Sequence, residues 1–97
     1  MPPLSSRQRQ YLRGLAHPLA PVVRIGKGRL SDAVVAETRR SFDAHELIKV
    51  RIEVDDASER KTLSAQLAEA VGAEVAGNIG KLAILYRAHE EPEIELP

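Results

Sequence analysis

Between Ile48 and Val54 the side chains alternate without a break. Ile48, Val50, Ile52 and Val54 fall on one side of an extended chain, and Lys49, Arg51 and Glu53 on the other. A period of two cannot form one face of a helix, so Leu47 to Val54 is read as a half-buried strand. A strand leaves its backbone groups unpaired and its apolar face wet unless others join it. The remainder of the chain must therefore supply both sheet partners and a cover.

The candidates lie on either side. Ser5 and Gln8 have the capping-box spacing of a helix start. Leu4, Tyr11, Leu12 and Leu15 then recur on one side at helical spacing, with Arg9 and Arg13 toward the other, until Gly14 and His17-Pro18 end the helix. Pro21 to Ile25 is rich in β-branched residues and reads as a short strand. Ser31 and Asp32 begin a second helix reaching about to His45, with Val34, Val35, Thr38 and Phe42 as its inner stripe. Asp55, Asp56 and Ser58 begin a third, with Leu63, Leu67, Ala70 and Val71 inward and Gly72 at its end. Glu74 to Ile79, interrupted by Gly77, and Leu82 to Tyr86 form a hairpin around Gly80-Lys81. The expected order is α-β-α-β-α-β-β: one mixed sheet packed against helices, an α/β domain with no internal repeat.

The 97 residues suffice for one core and not for two. Tyr11, Phe42 and Tyr86 are the only aromatics, so Leu, Val, Ile and Ala must build that core. The same scarcity leaves little material for aromatic base stacking. With no cysteine, disulfides, thiol catalysis and cysteine-bound zinc are excluded. Apolar runs are too short for a membrane span, and the first residues lack a signal-peptide core, so a cytoplasmic protein without membrane contact is expected.

Formal net charge is zero, but it is unevenly distributed. Residues 1–31 hold Arg7, Arg9, Arg13, Arg24, Lys27 and Arg29 and no acid, whereas nine acids face four bases from Asp55 onward. Such a chain can offer a basic face to a polyanion while remaining neutral overall; equally, these charges can scatter over a solvated surface. Residues 88–97 are acidic and flanked by proline, and are expected to form a flexible tail.

One constellation has a chemical mechanism. Gly26-Lys27-Gly28-Arg29 joins a strand to a helix, where glycines allow close backbone approach to a phosphate and the helix end and two cations favour an anion. It lacks the spacing of a nucleotide-binding P-loop or of a dinucleotide fingerprint, and alone it reads more readily as a plain turn. Arg9, Arg13 and Arg24 are candidate neighbours, with Arg39 and Arg40 as second choices. Lys49 and Arg51 extend the footprint if the polar face of the central strand is open; under a helix they would be partly buried or paired.

Leu15-Ala16-His17-Pro18-Leu19, Pro21-Val22-Val23, His45-Glu46-Leu47-Ile48-Lys49-Val50, Ile79-Gly80-Lys81 and Leu85-Tyr86-Arg87 occur in an order that resembles the CRM domain family, in particular its stand-alone bacterial YhbY type, over residues 4–87. The resemblance implies three helices and a four-stranded sheet similar to the C-terminal domain of translation initiation factor three. It also implies an RNA-binding protein of ribosome maturation, acting in large-subunit assembly on ribosomal RNA in a pre-ribosomal particle; ribosomal proteins are candidate further partners, and a monomer is expected. The family's GxxG-like loop falls on Gly26–Arg29, but Gly28 stands one position early and Arg29 takes the final slot.

Other chemistries find less support. His17 and His45 match the family pattern, yet each sits where it can end a helix, and His89 is remote; no metal site or cofactor is expected. Glu46 beside His45, or Asp55-Asp56, would be the acid–base groups of an enzyme, but no nucleophile–base set accompanies them. A non-enzymatic adaptor that contacts a basic ribosomal protein through the acidic half, without touching RNA, is the alternative to RNA binding.

Overall fold

The computed structural model describes residues 3–97 and contains the elements in the expected order. These are α1 (Ser6–Ala16), β1 (Pro21–Ile25), α2 (Asp32–Ala44), β2 (Leu47–Ile52), α3 (Ala57–Val71), β3 (Glu74–Ile79) and β4 (Leu82–Tyr86). The strands form one mixed sheet in the order β1-β2-β4-β3. β1 runs parallel to β2, and the other two pairings are antiparallel. α2 is the crossover that a parallel pair requires.

The caps follow the sequence closely. Ser5 accepts from the Gln8 backbone N–H while the Gln8 side chain accepts from Ser5, completing the capping box. Ser31 caps α2 through the Val34 N–H, and Asp56 caps α3 through the Glu59 N–H. Gly72 ends α3 in the left-handed conformation, φ 70°, which costs glycine little.

The two faces of the sheet are covered differently. On one, Ile48, Val50 and Ile52 of β2 pack with Val23, Ile25, Ala83 and Leu85 beneath Phe42 of α2 and Leu63, Leu67 and Val71 of α3. On the other, Leu47, Ala76, Ile84 and Tyr86 lie under Leu4, Leu12 and Ala16 of the N-terminal segment. The chain is thus a helix–sheet–helices sandwich rather than a sheet with one open side.

Several expectations change. α1 runs through Gly14 to Ala16, and it is rotated from the predicted stripe: Leu12 and Ala16 are buried, while Tyr11 and Leu15 are exposed. In α3 the inner stripe takes Ser64 and Ala68 and leaves Ala70 outside, because the helix touches the sheet and α2 together and its buried strip is broad. β2 is not open on its polar side: only Arg51 interrupts its buried run from Leu47 to Ile52.

The C-terminal residues have no helix or strand, but they lie against the fold rather than away from it. Ile94 and Leu96 pack beside the Leu4–Leu12–Tyr86 cluster. The Gln8 side-chain amide donates to the Pro97 carbonyl at 3.2 Å. Glu46, 4 % exposed, accepts backbone N–H bonds from His89, Glu93 and Ile94 at 2.7–2.8 Å. The apolar pair and the carboxylate anchor supply what the composition alone does not: a fixed place for a polar segment.

Candidate nucleic-acid interface

β1 leaves the sheet at Ile25 and enters a tight turn in which the Arg29 N–H donates to the Gly26 carbonyl at 3.0 Å. Lys27 and Gly28 are the exposed central residues. Arg29 has φ 53°, the sole non-glycine with positive φ among the described residues. Strain of this kind costs an ordinary side chain about 1–2 kcal/mol, which explains why a glycine suits the slot. At Arg29 the chain thus adopts a backbone conformation that favours glycine and places a guanidinium on it. That guanidinium pairs with Glu59 in the first turn of α3 at 2.6 Å, both side chains being well exposed.

The following helix end contributes less than the sequence suggests. Ser31 already takes the Val34 N–H, and Asp32 brings a negative charge into the first turn. Anion attraction at this loop rests mainly on Lys27 and Arg29.

Arg24 and Arg51 are register partners on adjacent strands, and both reach Glu53. The Arg51 contact, together with the nearby positive charges, lowers the pKa of Glu53 from its ordinary value. Two guanidiniums share one carboxylate, so this end of the sheet keeps a positive excess adjoining the loop. Lys81, across the hairpin turn, pairs with Asp55 at 3.2 Å.

Three predicted contacts are engaged within the fold. Lys49 is only 9 % exposed; its ammonium donates to the carbonyls of His17 at 3.1 Å and Leu19 at 2.9 Å, closing the end of α1 from below. It, not the His17 ring, satisfies those carbonyls. Arg9 donates to the Leu4 carbonyl at 2.6 Å and to Ser6 Oγ, bracing the start of its own helix. Arg13 lies flat on β3, donating to the Ala76 carbonyl at 3.3 Å. Of the second choices, Arg39 donates to the Ala70 carbonyl at the end of α3, and Arg40 is exposed. The structure thus groups Gly26–Arg29 with Arg24 and Arg51, leaves Arg9 bonded within the start of α1, and buries Lys49 beneath the end of that helix.

Two features escaped the sequence reading. Gly77, seen only as an interruption, is where Arg13 rests: a Cβ there would lie 2.5 Å from Arg13 Cδ. It follows a register irregularity between Val75 and Gly77, and such a bulge turns successive residues to one face. Glu46 is the other. Burial opposes its ionisation, but the backbone N–H groups of His89, Ile94 and Glu93, with the neighbouring His89 imidazole, outweigh it and hold its pKa below the usual value. The spacing Glu46–His45 suggested acid–base chemistry; the carboxylate is an anchor instead. Asp56, likewise, is a helix cap.

No described helix is long and apolar enough to cross a membrane. Comparison with known proteins adds to the geometry. The CRS1/YhbY (CRM) domain profile matches residues 4–87. A Haemophilus influenzae protein named RNA-binding protein is 38 % identical over 97 residues, spanning 100 % of this chain and 98 % of its own. Probable RNA-binding protein YqeI of Bacillus subtilis is 30 % identical over 95 residues, 97 % of this chain and 99 % of its own. The solution structure of SAV1595 from Staphylococcus aureus superposes with a TM-score of 0.87 at 36 % identity, covering 97 % of this chain and 99 % of that one. The profile match over most of the chain and relatives of 30–38 % identity along nearly its whole length agree: the chain belongs to the CRS1/YhbY (CRM) domain family.

Proposed function

We propose that this protein is an RNA-binding, non-enzymatic factor of large ribosomal subunit assembly. In this reading it docks on structured ribosomal RNA within a pre-ribosomal particle through the Gly26–Arg29 turn. Arg24 and Arg51 extend the contact along the sheet end, while Arg9 acts within the fold and two of the Lys49 ammonium protons hold the end of α1. The observation that carries the reading is the exposed turn itself, with two cations on a tight backbone beside a second pair of cations, in a chain whose relatives are named RNA-binding proteins. The glycines admit the phosphate; Lys27 and Arg29 supply its counter-charge, Arg29 by exchanging Glu59 for RNA. Such contacts position a backbone and read no sequence.

The test is a salt-dependent titration of ribosomal RNA fragments against wild type and Lys27→Ala/Arg29→Ala. Loss of affinity for all fragments, with the slope of log K against log salt flatter by one to two units (about 0.7–0.9 per lost phosphate contact), supports the loop as a clamp. Equal binding by both proteins makes Gly26–Arg29 only a turn. Retention of a ribosomal protein after ribonuclease treatment, without RNA affinity of its own, would instead favour the adaptor reading.

A further inference from the structure

Cross-strand register aligns Arg24, Arg51, Leu82 and Ile79 in one row, from β1 through β2 and β4 to β3. They share the α1 face of the sheet, since Leu82 alternates with Ile84 and Tyr86, which α1 and its flanks cover. The helix stops short of this row. Ile79 is 55 % exposed and Leu82 half-buried, an uncommon position for neighbouring branched aliphatics on a sheet centre and edge. Behind them a cleft of about 240 Å³ opens toward α1, lined by Arg13, His17, Lys49, Ile79, Leu82 and Ile84.

We propose that this row is a platform for an unpaired nucleotide of the bound RNA: the base lies on Ile79 and Leu82, and the flanking phosphates meet Arg51 and Arg24 on one side and Arg13 on the other. The inference rests on the RNA reading above and goes beyond it by naming unpaired RNA, not duplex, as what crosses the sheet. Three features favour this occupant. The apolar floor is bordered by cations, Arg13 on one side and Arg51 with Arg24 on the other, against the one shared carboxylate of Glu53. The row is continuous with the proposed phosphate-binding turn, because Arg24 lies in β1 only two residues before Gly26, where the turn begins. Its span over four strands is about 14 Å, enough for a short stretch of single strand.

Lys49 adds a donor at the back of the cleft. An ammonium has three protons, and the described residues provide two acceptors, His17 O and Leu19 O. The third is available to a carbonyl of the base. Gly77 keeps the other rim in place, since without a Cβ it lets Arg13 lie down on β3. An aliphatic floor grips a base more weakly than an aromatic one, so phosphate contacts carry most of the affinity and the platform selects unpaired against paired RNA.

The experiment compares an unpaired RNA decamer with a duplex of the same sequence by fluorescence anisotropy, for wild type, Ile79→Ser and Lys27→Ala/Arg29→Ala. Because Ile79 is exposed, the serine variant keeps its fold, verified by circular dichroism. Ile79→Ser is expected to weaken decamer binding about fivefold, as for about 1 kcal/mol of apolar contact, with an unchanged salt slope and unchanged duplex binding. The loop variant is expected to lose affinity for both RNAs, with a flatter salt slope. If Ile79→Ser binds the decamer as wild type does while the loop variant weakens, the platform is overturned and the RNA reading stands. If wild type binds neither RNA, both fall. As a second readout, the methyl resonances of Ile79 and Leu82 should shift on adding the decamer and stay in place with the duplex; unmoved methyls in a bound complex also overturn the platform.

Discussion

The two faces of the sheet are closed by different physics. The α2–α3 face is an apolar cluster in which every large contributor is aliphatic or is Phe42. The α1 face has a smaller apolar cluster and adds polar fasteners: Lys49 to the end of α1, Arg13 to β3, and Glu46 to the C-terminal segment. Burial of area is indifferent to direction, whereas these bonds fix where each covering piece stops. The second kind of closure leaves part of a sheet bare without leaving it loose, and the bare part adjoins the Gly26–Arg29 turn.

The comparison can be broken most forcefully from the apolar side. Phe42→Ala should cost about 3–5 kcal/mol in denaturant unfolding, since it opens a cavity at the junction of α2 and β2. A loss below about 1 kcal/mol would mean that this face is not tightly packed. Lys49→Met keeps the stem and removes two charge-assisted hydrogen bonds, for a loss of about 2 kcal/mol. Amide exchange would sharpen the point: protection should fall in α1 and hold in α3, and a uniform fall would show that the two covers act as one.

Glu46→Gln should cost somewhat less, about 1–2 kcal/mol at neutral pH, and loosen residues 89–94. Its pH dependence follows from the depressed pKa. The carboxylate contributes fully above its ordinary value of 4.5 and loses that contribution as pH falls through the folded-state value. Urea midpoints of wild type and variant should therefore differ at neutral pH and approach each other in acid; a constant difference would remove Glu46 from that role. Smallest of all is Arg24→Gln. Arg24 sits 3.5 Å from Glu53 with most of its side chain in water, so thermal unfolding should be indistinguishable from wild type while RNA affinity declines.

The same division decides what could be read in advance. Alternation in Ile48–Val54 and the stripe of α2 gave the α2–α3 face, because periodicity is a local record of burial. Ser5, Ser31 and Asp56 likewise announce their helices through bonds three residues away. Lys49 bonding to Leu19, Arg13 to Ala76 and Glu46 to Ile94 span 30, 63 and 48 residues. Nothing local to Lys49 distinguishes an ammonium under a helix from one in solvent, so sequence alone leaves it among the candidate RNA contacts. Leu15 and Tyr11 misled for the related reason that α1 covers only part of the sheet. The loop at Gly26–Arg29 was legible as a motif, but the left-handed Arg29 and its bond to Glu59 belong to the folded chain.

The bond between Gln8 and the Pro97 carbonyl has a consequence for how this unit can be strung with others. Residues near both chain ends come together beside Leu47 and Tyr86, whereas Gly26–Arg29 follows Ile25 at the opposite end of the strands. A fold whose first helix and last residues meet, remote from that turn, can be inserted into a host chain or copied in tandem through short connectors. Each copy would still present the turn outward, so that several weak grips of the proposed kind would combine into one avid one.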